Sequence, residues 1–122
     1  MSKHHILVVD DDPDIGTMIR IMLEYHGYAV SVTQKAEQTE ELLRQDHYDL
    51  LIMDMLLSGM NGMDICAHLK ANGFAKLPII MISAHPNARE MSADAGADDF
   101  MAKPFDMNEM LDKMQSLIQQ RQ

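Results

Sequence analysis

Short apolar runs that alternate with helix-period patterns along the whole chain constrain this sequence more than any other feature. The runs cover residues 6–9, 28–32, 50–53, 79–82 and 99–102, the last weakest in pattern. Between them, apolar residues recur at helical spacing. Ile15, Met18, Ile19, Met22 and Leu23 form one stripe expected to face a sheet, Leu42 and Leu43 anchor a second helix, and Ile65, Cys66 and Leu69 a third. A strand, helix, strand, helix rhythm marks a parallel sheet covered on both faces. At 122 residues and 47% hydrophobic composition there is material for one such core and not for two. Residues 1–122 are therefore expected to form a single domain.

The helix ends carry their own signals. Pro13 suits a first helical position, because its missing N–H would have no partner there, and Asp12 is the natural cap. Gly27 should end that helix, and Asn72-Gly73 the third. The last helix should begin at Asp106, which with Glu109 resembles a capping box, and its stripe is Met107, Met110, Leu111, Met114, Leu117 and Ile118. A fourth helix over residues 87–95 has only Ala88, Met91 and Ala95 to bury between Pro86 and Gly96, so it should be the least firmly held. No internal repeat, low-complexity tract or linker suggests a boundary inside the chain.

Charge excludes some functions. Nineteen acids against ten Lys plus Arg give a formal charge of -9, which opposes contact with phosphate backbones and anionic membranes. Direct nucleic-acid binding is not expected. Apolar runs are interrupted long before the ~20 residues that a membrane span requires. The single cysteine, Cys66, forms no internal disulfide, and a triple Asp stands where a signal peptide needs apolar residues, so the expected location is the cytoplasm. The thirteen methionines read as adaptable core filler, and the six histidines form no constellation.

In an open parallel sheet, ligands bind beyond the carboxyl ends of the strands. Asp10 and Asp11 follow the first strand, Asp54 the third, Ser83 the fourth, and Lys103 with Pro104 the fifth; the second offers only Thr33, which reads as a helix cap. Asp12 and Asp14 read as a cap and a first-turn acid, and Asp98 and Asp99 as solvated loop acids. Three carboxylates, a hydroxyl and an ammonium are thus expected on one rim. Carboxylates packed closely raise each other's pKa unless a cation sits among them. With all-oxygen ligands and no recurring Cys or His, Mg²⁺ fits better than zinc. Its remaining water positions, together with Lys103 and Ser83, would receive an anionic phosphoryl group, so the chemistry reads as phosphoryl transfer with a carboxylate nucleophile.

The segments "ILVVDD", "LLIMD", "PIIMISA" and "FMAKPF", in this order and each at a strand end, resemble the receiver domain of two-component response regulators over the whole chain. The resemblance implies a flavodoxin-like, doubly wound α/β fold with five parallel strands in the order 2-1-3-4-5 and five helices. It implies that Asp54 accepts a phosphoryl group from a phosphohistidine on a sensor histidine kinase or phosphotransfer protein. Asp10 and Asp11, completed by Asp54 and the backbone carbonyl of Leu56, would hold Mg²⁺, with Mn²⁺ able to substitute. Lys103 would pair with the phosphoryl group, and the Lys103–Pro104 bond would be cis. Ser83 and Phe100 would be the switch residues, and Leu56 and His85 would modulate how fast water removes the phosphoryl group, with the apolar Leu56 slowing it. The face of the fourth helix, fifth strand and last helix would bind a downstream target or a second copy.

Some positions depart from the family pattern. Ser58 stands where proline is usual, Ser83 where threonine is commoner, and Phe100 where tyrosine is frequent; none removes a group that phosphorylation needs. A rival resemblance joins Asp10-Asp11-Asp12 to the Asp-x-Asp of haloacid-dehalogenase-type phosphatases, but those enzymes need an acidic motif after the lysine, and Asp98 and Asp99 precede Lys103. The receiver reading makes the chain a phosphoacceptor signalling domain rather than a free-standing enzyme. Its output would be a separate protein target or a covalently linked output domain.

Overall fold

The computed structural model describes residues 3–57 and 59–121. Ser58 and the side chain of Leu56, both singled out in the sequence, lie outside the described residues. Five parallel strands form the main sheet: β1 (His5–Val9), β2 (Ala29–Thr33), β3 (Leu50–Asp54), β4 (Ile79–Ser83) and β5 (Asp99–Ala102). They lie in the order β2-β1-β3-β4-β5, the flavodoxin-like arrangement. Each strand begins and ends within one residue of the bounds read from sequence. One shift matters for the site, because Asp54 and Ser83 are the last residues of β3 and β4 rather than the first beyond them.

Five helices cover the sheet: α1 (Pro13–Tyr25), α2 (Thr39–Gln45), α3 (Gly62–Ala71), α4 (Ala88–Asp94) and α5 (Met107–Arg121). Alternation along the strands sorts their side chains into two layers. Leu7, Val9, Leu51, Met53, Ile79, Met81 and Phe100 pack toward α2, α3 and α4 with Leu43, Cys66, Leu69 and Ala88. Ile6, Val8, Leu50, Ile52, Ile80, Ile82 and Met101 face the other way, onto Ile19 and Leu23 of α1 and Met110, Met114 and Ile118 of α5. Burying each Leu or Ile in this way stabilises the fold by roughly 1.5–3 kcal/mol. Among the described residues no helix is long and apolar enough to cross a membrane.

The expected stripe of α1 needs a correction. Its buried residues are Gly16, Ile19 and Leu23, whereas Met18 is 44% exposed. The helix is turned so that Gly16 lies against the sheet, where a Cβ would stand 2.8 Å from Val32 Cγ1. Gly27, with φ +92°, reverses the chain after α1 in a conformation that side-chain-bearing residues rarely adopt. Thr33 does not cap a helix; its Oγ1 accepts from Lys35 N (3.1 Å) and so closes the turn into a short 3₁₀ segment, Ala36–Gln38, that precedes α2. The capping pattern at α5 is also simpler than expected, with Asp106 Oδ1 accepting from Asn108 N at 2.7 Å. The α4 helix is shorter than residues 87–95 at both ends, and Asn87 makes no side-chain cap bond.

Two further features are absent from the sequence reading. Leu56–Leu57 and Met60–Asn61 form a small antiparallel ladder between β3 and α3. Asp98 is no solvated loop acid, since its Oδ2 accepts from Ile79 N and from Lys70 Nζ, each at 2.8 Å. Lys70 Nζ also donates to the Leu77 carbonyl at 2.6 Å, so one ion pair ties α3 to the starts of β4 and β5.

Candidate functional site

The register of the sheet brings the chemistry-bearing residues to one level. Val9 pairs with both Thr33 and Met53, Asp54 with Ile82, and Ser83 with Ala102. The ladder continues past the strands: Asp10 N donates to Thr33 O (3.2 Å), Met55 N to Ile82 O (2.9 Å) and Lys103 N to Ser83 O (2.9 Å). Asp10, Asp54, Ser83 and Lys103 are therefore all set by backbone pairing at the carboxyl edge. The sequence neighbours of each residue would not by themselves produce that convergence.

One carboxylate oxygen from each of Asp10, Asp11 and Asp54 lies within 4.8 Å of the others. Lys103 Nζ donates to Asp54 Oδ2 at 2.8 Å and stands 3.8 Å from Asp10 Oδ2. Asp10 is 1% exposed. Its Oδ1 accepts from Asp12 N at 2.9 Å, but among the described residues its buried Oδ2 has no hydrogen-bond partner. Burial pushes the Asp10 carboxyl above the ordinary carboxylate range; the Asp12 N–H and the Lys103 ammonium oppose that push, and the charges of Asp54 and Asp11 add to it. For Lys103, burial works against the charged form, yet the hydrogen bond to Asp54 and the charges of Asp10, Asp54 and Asp11 outweigh it, so its ammonium is held above its usual value. When ionised, three carboxylates face one ammonium. A hard cation that accepts only oxygen ligands fits this donor set and its orphaned buried oxygen.

The other predicted residues lie on or just after the strands that carry this cluster and on the segment after Asp54. Ser83 is buried, and its Oγ accepts from His85 N at 3.0 Å, while His85 Nδ1 accepts from Asn87 N at 3.1 Å; the hydroxyl thus holds the turn into α4. Phe100 is buried in the layer beneath α4, with the Arg89 guanidinium 5.5 Å from its ring centroid. The Lys103–Pro104 peptide bond is cis. The backbone of Leu56 is set by pairing with Asn61. The carboxylate of Asp12 caps α1 instead of joining the cluster, accepting from Asp14 N at 2.9 Å.

Sequence reasoning overlooked Gly62. A Cβ there would meet the Asp54 carbonyl oxygen at 2.5 Å and the Met55 carbonyl oxygen at 3.0 Å, while Gly62 N donates to Met55 O at 2.8 Å. The start of α3, capped by Asn61 Oδ1 on Met63 N (2.8 Å), is thereby pressed against the backbone that carries Asp54. The available signal was Asn61-Gly62, a cap followed by the smallest residue, eight positions after an acid at a strand end.

Residues 6–115 match the response regulator receiver domain family. Response regulator MprA of Mycolicibacterium vanbaalenii is 35% identical over 115 residues, which cover 93% of this chain and 49% of that protein. MprA of Mycobacterium avium is 34% identical over 115 residues, with 93% and 50% covered. The chain thus spans about half the length of these curated relatives. Among solved structures, the receiver domain of the TMAO respiratory system response regulator TorR superposes with a TM-score of 0.89 at 26% identity, covering 98% of this chain and 99% of that one. The Francisella response regulator 1452 receiver domain gives a TM-score of 0.91 at 23% identity over 98% and 100% of the two chains, a likeness of fold.

Proposed function

The chain belongs to the response regulator receiver domain family, and from that premise we propose that it is the phosphoacceptor of a two-component phosphorelay, with Asp54 as the residue that is phosphorylated. Receiver domains of response regulators are signalling domains that work with a histidine kinase and an output domain. In the proposed reaction, an Asp54 carboxylate oxygen attacks the phosphorus of a phosphohistidine on a sensor kinase or phosphotransfer protein. An O–P bond forms as the N–P bond breaks, and its electron pair leaves on the partner's imidazole, which takes up a proton.

The residues around Asp54 have separate parts in this reading. Asp10, Asp11, Asp54 and the Leu56 carbonyl would hold Mg²⁺, or Mn²⁺ in its place. When bound, the ion supplies charge neutralisation among the carboxylates and a coordination position for a phosphoryl oxygen. Lys103 moves from its pair with Asp54 to the phosphoryl oxygens, and the Ser83 hydroxyl turns from the His85 turn to donate to them. Leu56 and His85 would tune hydrolysis of the acyl phosphate. Residues 1–122 act as one receiver domain in the cytoplasm, without direct contact with nucleic acid or membrane.

The output is proposed to leave through the α4–β5–α5 face, toward a target protein, a linked output domain or a second copy. Arg89 over the Phe100 ring and Lys113 Nζ on Asp99 Oδ1 (2.9 Å) join the three elements of that face, so a movement of Ser83 and Phe100 would reset both contacts. The short α4, without a side-chain cap, is the element suited to move.

The observation that carries this reading is the Lys103–Asp54 pair at 2.8 Å beside the orphaned Asp10 oxygen. A small phosphodonor with Mg²⁺ should label one aspartate, mapped by mass spectrometry to Asp54, and Asp54→Asn should abolish the label. If Asp10 is labelled and Asp54→Asn leaves labelling intact, the phosphatase-type reading replaces this one.

A further inference from the structure

A cavity of about 300 Å³ opens between α2 and α3, on the opposite face of the sheet from α1 and α5. Ala36, Met60, Ile65 and Leu69 give it an apolar floor. Met60, on the ladder after β3, is 39% exposed; the other exposed large hydrophobic residues among those described, Met18, Ile21 and Tyr25, all lie on α1. One contact links the two helices across the groove, between Glu40 of α2 and His68 Nε2 of α3 at 2.8 Å, and Arg44 donates to Glu40 from within α2, also at 2.8 Å. Glu37 and Asp64 stand on the rim, and neither carries an ion pair among the described residues.

An apolar floor between uncompensated carboxylates fits one kind of occupant better than others. The volume takes one or two large side chains rather than a folded surface, and the thioether of Met60 adapts to varied shapes. Rim acids on a chain of charge -9 favour cationic groups beside those side chains and repel a second copy of the same acidic chain. We propose that the α2–α3 groove is a docking site for a short amphipathic helix of a partner protein, which inserts large apolar side chains onto Met60 and Ile65 and sets lysine or arginine against Glu37 and Asp64. This site is separate from the acidic rim at the strand ends and does not depend on the chemistry of Asp54.

The test titrates the isotope-labelled full chain with a synthetic Leu/Lys amphipathic helix, followed by amide chemical shifts, with a Leu/Glu peptide of the same apolar pattern as comparison. Perturbed amides should cluster on α2, Met60–Asn61 and α3. The affinity should fall about tenfold in Met60→Glu and about tenfold in the double variant Glu37→Lys/Asp64→Lys, whose sites are exposed and leave the core untouched. The Leu/Glu peptide should bind at least about tenfold more weakly. Shifts centred on Met18, Ile21 and Tyr25, equal binding of both peptides, or unchanged affinity in the double variant would overturn the proposal. So would the same groove amides shifting with protein concentration alone, which would make the occupant a second copy.

Discussion

The two ends of the sheet both carry carboxylates close to buried backbone, and they use them in opposite ways. At the amino end, Asp49 Oδ2 accepts from His5 N (2.8 Å) while His47 Nε2 lies 3.2 Å from Oδ1, and Asp98 joins Ile79 N to Lys70. Those acids replace missing ladder acceptors where β1 and β4 begin. At the carboxyl end, Asp10 keeps one buried oxygen without a hydrogen bond among the described residues, beside two more acids. The first arrangement stabilises the fold. The second gathers three acids around the single ammonium of Lys103, an imbalance that a further cation would relieve, as expected where function rather than folding selects the residues.

The strongest challenge to this contrast comes from Gly62, because the carboxyl end is held by close backbone packing. Gly62→Ala should cost about 2–3 kcal/mol and lower Tm by on the order of 10 °C, since the new methyl would press on the Asp54 carbonyl oxygen. It should also slow phosphodonor labelling in the protein that remains folded. A change in stability within about 0.5 kcal/mol would mean that α3 is free to shift away from Asp54.

Asp98→Ala comes next, at about 2 kcal/mol, because it leaves the N–H of buried Ile79 without its acceptor. Asp98→Asn, which keeps an oxygen there, should cost about half as much. Labelling of Asp54 should be unaltered in both, and a loss of labelling there would blur the distinction between the two ends.

Asp49→Asn should cost about 1 kcal/mol at neutral pH. Burial works to raise the Asp49 pKa, but the His5 N–H, the His47 hydrogen bond and the charges of His47 and His4 outweigh it and hold the carboxyl below its ordinary value. A carboxyl lowered on folding stabilises above its unfolded pKa, and that contribution disappears as pH falls through the native value. Urea unfolding across acidic pH should therefore show wild type and variant converging toward the acid limit. A gap that persists there would assign the effect to packing instead.

The strand order and the rim it builds are legible in the sequence, and the packing of the helices and short segments around them is less so. Asp10, Asp54 and Lys103 could be placed on one rim because each lies at the end of an apolar run, and parallel strands share that edge. Residues without a hydrophobic signature were harder to read. Gly16 contributes nothing to an apolar stripe, so the sequence pattern points α1 toward the sheet through Met18, although a glycine against Val32 is what permits close helix-to-sheet contact. The ladder formed by residues 56–57 and 60–61 is too short for any period to register. Asp98 looked like a loop acid because its partners, Lys70 and Ile79, are distant along the chain, and charge alone does not announce a pairing across 28 residues.

The contrast between the two ends turns on Asp10. Its carboxyl binds a proton more tightly folded than unfolded, so stability falls as pH rises through the native value. Thermal unfolding of wild type and Asp10→Asn at neutral pH, each in chelator and in Mg²⁺, measures this directly. In chelator the variant should be more stable by about 1 kcal/mol, and Mg²⁺ should stabilise wild type while leaving the variant nearly unmoved. A variant less stable than wild type in chelator, or an equal gain from Mg²⁺ in both proteins, would contradict the account.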